Sequence, residues 1–421
     1  MKVYSHERLA RLAAGRGMSE EYLHDLRVVS SVLPFKVNDY VVNELIDWSA
    51  APDDPIFRLT FPHRDMLPEP IFEHLSQLMQ SSAEPAVLRK AALDAHAQLN
   101  PNPGAQVSAN VPTRHGRRLE GVQHKYAETV LIFPAQGQTC HAYCGYCFRW
   151  AQFVGNSELK QAAPDVAEVM AYVAADPNVT DLLFTGGDPM IMSAAVLDRW
   201  VSPALAPELE HVRTLRFGTK ALSYWPARFT TDADADDLLR LFERCVAAGK
   251  HVAVMAHFTH PRELETPLVR EAIRRIRATG AVIRAQAPVT AHVNDRAEDW
   301  ATLWQGLVEV GAIPYYMFVE RDTGAQSYFG VPLVKALQVY TDAVRQVSGL
   351  ARTARGPVMS AAPGKVLIDG TMTVAGTDVF SLRMLQSRDP AQVGRQFLAH
   401  LDPGAEWFSD LRPALGSWWP R

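Results

Sequence analysis

Cysteine is scarce in this chain, with four among 421 residues. A secreted fold stapled by disulfides would use more of them and spread them apart, so that class is excluded. Long apolar runs are missing too. No stretch reaches the roughly 20 residues that a membrane-spanning helix needs, and the start, MKVYSHERLARLAAGRG, is polar and charged rather than signal-like. The expectation is a cytoplasmic protein with no membrane partner. An excess of one charge is also lacking. The formal net charge is −4 and no basic block stands out, which leaves no electrostatic footprint for nucleic acid. Internal repeats and low-complexity segments do not occur. What remains is ordinary globular composition, 48% hydrophobic and 21% charged, at a length that suits two or three domains or one α/β barrel with additions.

Residues 1–120 read as a mostly helical N-terminal region. Ser19–Leu33 and Ala86–Gln98 carry apolar residues at helical spacing. Proline-rich stretches (Ala51–Pro55, Phe61–Pro70, Asn100–Pro103) separate them. From about residue 128 short apolar runs alternate with amphipathic stretches. Strands are expected at Thr129–Phe133, Asp181–Thr185, Val212–Phe217, His251–Phe258, Ala281–Ala287 and Pro314–Val319. Helices are expected at Ala163–Ala175, Ala194–Leu205, Asp234–Ala248, Thr266–Ala278 and Arg296–Val310, the first opening on Pro164–Asp165. This alternation predicts parallel βαβ units, in an open sheet or a barrel short of two units, with ligands at the C-terminal strand ends. Residues 366–421, with Phe397, Trp407, Trp418 and Trp419, read as a short C-terminal cap.

Three of the four cysteines fall within eight residues, in Gln138-Thr-Cys-His-Ala-Tyr-Cys-Gly-Tyr-Cys-Phe-Arg-Trp150, directly after the first expected strand. Thiolates are the usual ligands of iron–sulfur clusters, and the spacing lets one loop wrap one cubane. Three cysteines bind three irons and leave the fourth open to chelate a small molecule. Zinc is the alternative; it prefers four ligands, and His141 or His124 could add the fourth. Cys245 stands alone in a helix segment and reads as a core residue.

Cys140-x3-Cys144-x2-Cys147, with Tyr146 before the last cysteine, resembles the radical S-adenosylmethionine (SAM) signature. Phe184-Thr-Gly-Gly-Asp-Pro189, ending the next strand, resembles that superfamily's Gly-Gly-Asp loop, which receives the SAM ammonium group. From about Gly121 to Lys365 the chain resembles the lysine 2,3-aminomutase family. The pieces are His124-Lys-Tyr126, the cysteine loop with Phe148-Arg149, Thr185–Asp188, His257-Phe-Thr-His-Pro261, Gln286, Asn294-Asp295, Pro314-Tyr-Tyr316 and Lys365. The resemblance implies a partial (β/α)6 barrel over 121–365. It implies a [4Fe–4S] cluster on Cys140, Cys144 and Cys147, with SAM against Tyr146, Thr185, Gly186, Gly187, Asp188 and Gln286. Pyridoxal phosphate (PLP) would be held at Lys365, its phosphate at Lys125 and Tyr126. Arg149 would pair with the substrate carboxylate. The activity implied is migration of an amino group on a small amino acid, with an electron donor such as flavodoxin or ferredoxin as partner. The helical N-terminal region would form a homo-oligomer interface or a cover for the barrel.

Read without the resemblance, Lys365 would be solvated surface, Arg149 a counter-charge to the cluster, and His257 and His260 rim or core histidines. Two departures from the family matter. Ala361-Ala362-Pro363-Gly364 replaces the usual four-glycine run with something stiffer, which keeps open a radical SAM reaction without PLP, such as epimerisation, dehydrogenation or decarboxylation. The two aspartates that lysine-specific members offer to the distal ammonium fall at Arg321 and near Val358. Lysine is therefore a poor substrate candidate unless Glu320 or Asp322 takes over. An arginine there suits an anionic or polar side chain, such as that of glutamate.

Overall fold

The computed structural model describes residues 1–103, 108, 110–155 and 160–420. Two short ribbons precede the main sheet, β1 (Val3–Ser5) with β2 (Lys36–Asn38), and β3 (Thr113–Arg114) with β4 (Arg117–Arg118). Apolar runs separated by helix-length amphipathic stretches can pair only in parallel, because each helix carries the chain back across the sheet. Seven strands do so: β6 (Thr129–Ile132), β7 (Asp181–Phe184), β8 (Thr214–Thr219), β9 (His251–His257), β10 (Val282–Val289), β11 (Ile313–Val319) and β12 (Arg355–Ser360). The helices between them are Val166–Ala174, Ala194–Val201, Ala235–Ala247, Pro267–Ala278, Ala297–Glu309 and Leu333–Arg345.

Leu182, Phe184, Leu215, Phe217, Val252 and Val254 on one strand face join the helices in a single buried core, which also takes Cys245. Leu183, Arg216, Arg284 and Gln286 lie on the opposite face, as strand alternation requires. Asp165, rather than Pro164, opens its helix, accepting from the Ala167 and Glu168 amides at 2.8 and 3.4 Å.

The sheet is mixed rather than wholly parallel. Antiparallel β5 (Val122–Tyr126) borders β6. At the other end β13 (Gly364–Val374), β14 (Thr377–Ser387) and β15 (Gln396–His400) continue it antiparallel, giving 11 strands. Residues 366–421 thus supply strands to the same sheet as well as the aromatic anchor. The turn from β13 to β14 is a two-residue hairpin in which Ala375 and Gly376 have φ of 49° and 77°, the left-handed pair that matches strand twist. Phe397 packs edge-on against Trp418 and Trp419.

The two ends of the sheet meet. β14 contacts β5, the Lys125 ammonium donates to the Ala361 carbonyl at 2.6 Å, and the Lys365 ammonium lies 5.6 Å from the Tyr126 ring centre. The N-terminal helices form a second core that includes Ala142, Tyr146 and Trp150 of the cysteine loop. Among the described residues no helix is long and apolar enough to cross a membrane.

Candidate active site

The loop after β6 carries Cys140, Cys144 and Cys147, and its backbone is tied down at several points. The Tyr143 amide donates to the Lys36 carbonyl (2.8 Å), Gly145 to Leu59 (2.7 Å) and Cys147 to Cys144 (3.0 Å). A side chain at Gly145 would meet the Phe329 ring at 2.7 Å, so the loop packs flat against the N-terminal core. All three cysteines are free thiols. Burial pushes each thiol up, Cys144 to about 12 and Cys147 to about 11, and the neighbouring sulfurs of Cys140 add to its shift. A bound metal centre would remove these protons, because a coordinating thiol is deprotonated outright.

Among the described residues, no three His, Cys, Asp or Glu side chains are arranged to hold a single metal ion. The two histidines considered for zinc are engaged elsewhere. His141 Nε2 lies 3.2 Å from Asp188, and His124 bonds the Tyr172 hydroxyl (2.5 Å) and the Ala127 carbonyl (3.1 Å).

The Thr185–Asp188 loop lies against this one. The Gly187 amide donates to the Gly137 carbonyl (3.0 Å) and the Asp188 amide to Thr139 (2.9 Å). A Cβ on Gly187 would fall 2.3 Å from the Thr139 carbonyl, and one on Gly186 2.7 Å from Gly137, so both glycines serve backbone-to-backbone contact. Asp188 is buried, and its carboxylate accepts from His141, the Thr219 hydroxyl (2.8 Å), the Lys220 amide (2.9 Å) and the Met190 amide (2.9 Å). Burial would raise its pKa, but His141 and the other donors outweigh that and lower it. These donors fill the roughly four lone-pair positions of a carboxylate. Asp188 therefore joins the ends of β7 and β8 to the cysteine loop, a role its motif does not reveal.

A second buried network lies at the ends of β8 and β9. Lys220 donates to both Glu263 oxygens at 3.0 Å and to Thr259 at 3.2 Å, and its ammonium stands 4.0 Å from the Tyr224 ring centre. Thr259 in turn bonds the Tyr146 hydroxyl at 2.9 Å, and Asn294 donates to the Thr259 carbonyl at 2.9 Å. Gln286 reaches His257 Nε2 at 3.1 Å. Burial and then the Lys220 charge lower His257 to about 4, so its ring is neutral near pH 7. His260 uses its ring to cap the Arg262 amide at 3.3 Å. Lys220 and Glu263 escaped the sequence reading, and Thr259 was marked only as part of the His257–Pro261 segment. Gly218-Thr-Lys220, at the end of the apolar strand β8, is the local signal for Lys220.

Lys365 is no surface lysine. It stands on β13 beside Gly364, where a Cβ would meet the Gln386 carbonyl at 2.0 Å. Of the Ala361–Gly364 segment, only that glycine is required by close approach. The Lys365 ammonium donates to the Gln386 amide oxygen at 2.6 Å and lies 5.1 Å from the Tyr316 ring centre. Burial, then Arg216 and Arg355, lower it to about 8. Lys125 is lowered to about 7 by burial, then by Arg388, Arg321 and Lys365. The concave face thus holds a nucleophilic amine beside a group of cations and two tyrosine rings, an environment that fits an aldehyde carrying a phosphate.

Arg149 is buried over the Phe133 ring (4.1 Å) and donates to Gln152 at 2.6 Å; burial lowers it to about 10, against the pull of Cys147 and Cys140. Its Nε has no partner among the described residues. Arg321 lies over Phe148, and Asp322 accepts from Asn102 at 3.0 Å.

No family model matches the chain. A protein of Aquifex aeolicus (strain VF5) named "Putative L-lysine 2,3-aminomutase" is 30% identical over 391 residues, 93% of this chain and 91% of that one. L-lysine 2,3-aminomutase of Escherichia coli (strain K12) is 29% identical over 235 residues, 55% of this chain and 63% of that protein. Among solved structures, a radical SAM methyltransferase from Sphaerobacter thermophilus overlaps 68% of this chain and 93% of its own, at 15% identity and a TM-score of 0.39.

Proposed function

Because the chain belongs to the lysine 2,3-aminomutase family, within the radical SAM superfamily, we propose that it shifts an amino group between adjacent carbons of an amino acid, using a [4Fe–4S] cluster, SAM and PLP inside one partial (β/α)6 barrel. One observation carries this reading. A half-buried lysine with a lowered pKa, Lys365, shares the concave face of the same curled sheet whose strand ends hold the cysteine and Gly-Gly-Asp loops. When bound, SAM on the reduced cluster supplies a carbon radical and PLP an electrophilic carbon for the amino group.

The chain's own residues do the rest. Cys140, Cys144 and Cys147 hold the cluster. The Gly186-Gly187 stretch, packed on Gly137 and Thr139, would offer its carbonyls to the SAM ammonium, while Asp188, saturated by protein donors, fixes the loop's position. Tyr146, held by Thr259, sets one wall of the SAM pocket, and Gln286 with neutral His257 a second. Lys365 would provide the amine for PLP, and Lys125, Tyr126 and Arg388, which act on one another electrostatically, would take its phosphate. Arg149, with its orphaned Nε, takes the substrate carboxylate. The N-terminal core over the cysteine loop excludes water and oxygen. The electron comes from a donor such as flavodoxin or ferredoxin.

The test is anaerobic reconstitution with iron, sulfide and PLP, followed by visible spectra before and after dithionite. Absorption that bleaches on reduction and vanishes in Cys144→Ala is expected, with a separate band lost in Lys365→Ala. Cluster absorption without a Lys365-dependent band would leave a radical SAM reaction that uses no PLP.

A further inference from the structure

We propose that Lys36, in the N-terminal region, is the fixed counter-charge of the iron–sulfur cluster and holds its reduction potential up; the inference rests on the cluster part of the reading above. Lys36 opens β2, a ribbon strand outside the barrel, and it is tied to the cysteine loop through backbone and side chain. Its carbonyl accepts from the Tyr143 amide at 2.8 Å. Its ammonium donates to the Thr139 hydroxyl at 2.9 Å and to the Cys140 carbonyl at 3.1 Å. The ammonium also lies 4.8 Å from the centre of the Tyr143 ring, which stacks on Phe153. These contacts hold a half-buried cation against the first cysteine of the motif.

No carboxylate accounts for this placement. Burial lowers the Lys36 pKa, and among the described residues the one charged group that acts on it is Cys140, which raises it. In return Lys36 lowers Cys140, against burial, Asp188 and the two other cysteines. The other cations near the motif are committed elsewhere. Lys220 lowers Cys144, but it is bonded to both oxygens of Glu263, whose charge acts on Cys144 in the opposite sense. Arg149 lowers Cys147 and is the residue offered to the substrate carboxylate. A desolvated ammonium without an anion is costly, and a site of three thiolates offsets that cost. Reduction adds one electron from the donor to a site that the thiolates already make negative. A fixed cation beside it, poorly screened by water, favours the reduced form.

The experiment uses the full-length protein with its cluster reconstituted and PLP supplied, without SAM. It is titrated anaerobically with titanium(III) citrate in the presence of redox mediators, and the reduced cluster is counted by electron paramagnetic resonance. Wild type, Lys36→Gln, Lys36→Met and Lys36→Arg are compared. Both neutral variants should make reduction harder by roughly tenfold in equilibrium constant, a fall of about 59 mV in midpoint potential for a one-electron couple. Lys36→Arg should keep the wild-type potential. Glutamine retains a hydrogen-bond donor and loses only the charge, so a residue that merely tethers the loop would leave the potential of Lys36→Gln where it was. That result overturns the proposal, and so does Lys36→Arg falling as far as the neutral variants. If neither neutral variant folds around a cluster, Lys36→Arg decides, since an equal fall where the charge is kept overturns the proposal by itself. Those failures leave the aminomutase reading standing, whereas a wild type that holds no cluster removes both.

Discussion

Single residues in this protein do work that their type alone does not announce. Asp188 belongs to a motif that suggests a ligand for a cation, yet its oxygens are taken by His141, Thr219 and two backbone amides. Asp188→Asn should therefore cost about 2–3 kcal/mol in a denaturant titration, since charge-assisted bonds are lost in a buried place. The sign with pH follows from its lowered pKa. The stabilisation is fully present above the unfolded value near 4 and is lost as pH falls through the lower folded one. Lys365 is lowered too, but in an amine that shift favours the neutral form. Its amine is lowered to about 8, so the rate at which it captures PLP should climb through pH 8, well below the roughly 10.4 of a free lysine. A capture rate still climbing steeply between pH 9 and 11, in stopped-flow absorbance, would contradict this. Gly187→Ala should separate the two site loops, because the new methyl would fall 2.3 Å from the Thr139 carbonyl. Weakened SAM binding and a stability loss of about 1–3 kcal/mol are expected.

At the scale of elements, the strands and helices between residues 129 and 319 were legible because each is a short apolar run or an amphipathic stretch of its own. The expected Asp181–Thr185 and the observed Asp181–Phe184 differ by one residue, and His251–Phe258 and His251–His257 likewise. What followed was not legible. β12 contains Gly356-Pro357, which reads as a turn, and it is a strand only because β11 and β13 pair with it on either side. β13 and β14 alternate as strands should, but aromatic residues near the chain's end draw attention from the Ala375-Gly376 turn that joins them. Lys220 and Glu263, which tie the end of β8 to the turn after β9, are 43 residues apart in sequence, and no local pattern couples them. Breaking it has a definite expected cost. Lys220→Met leaves a buried carboxylate unpaired and should destabilise by about 3–5 kcal/mol, while Lys220→Met with Glu263→Leu should recover part of that loss. A double variant no more stable than the single one would show that the pair itself is not what the site rests on.

At the scale of the whole molecule, the sheet brings two chemistries together. The parallel strands direct the cysteine and Gly-Gly-Asp loops to one end. The antiparallel strands β13 and β14 then bring Lys365, Gln386 and Arg388 back toward β5 and its Lys125 and Tyr126. Residue 125 and residue 365 meet only because the sheet curls. Without the resemblance, a lysine beside a glycine carried almost no weight in sequence. The Ala361–Gly364 stretch looked too stiff for a cofactor loop, yet it makes a tight connection whose one demanding position is still glycine. The direct test of the account is borohydride reduction of the protein loaded with PLP, followed by peptide mass analysis. A pyridoxyl group on the peptide containing Lys365, absent after Lys365→Ala, is the predicted result. A label on Lys125 alone, or on no lysine at all, would contradict it.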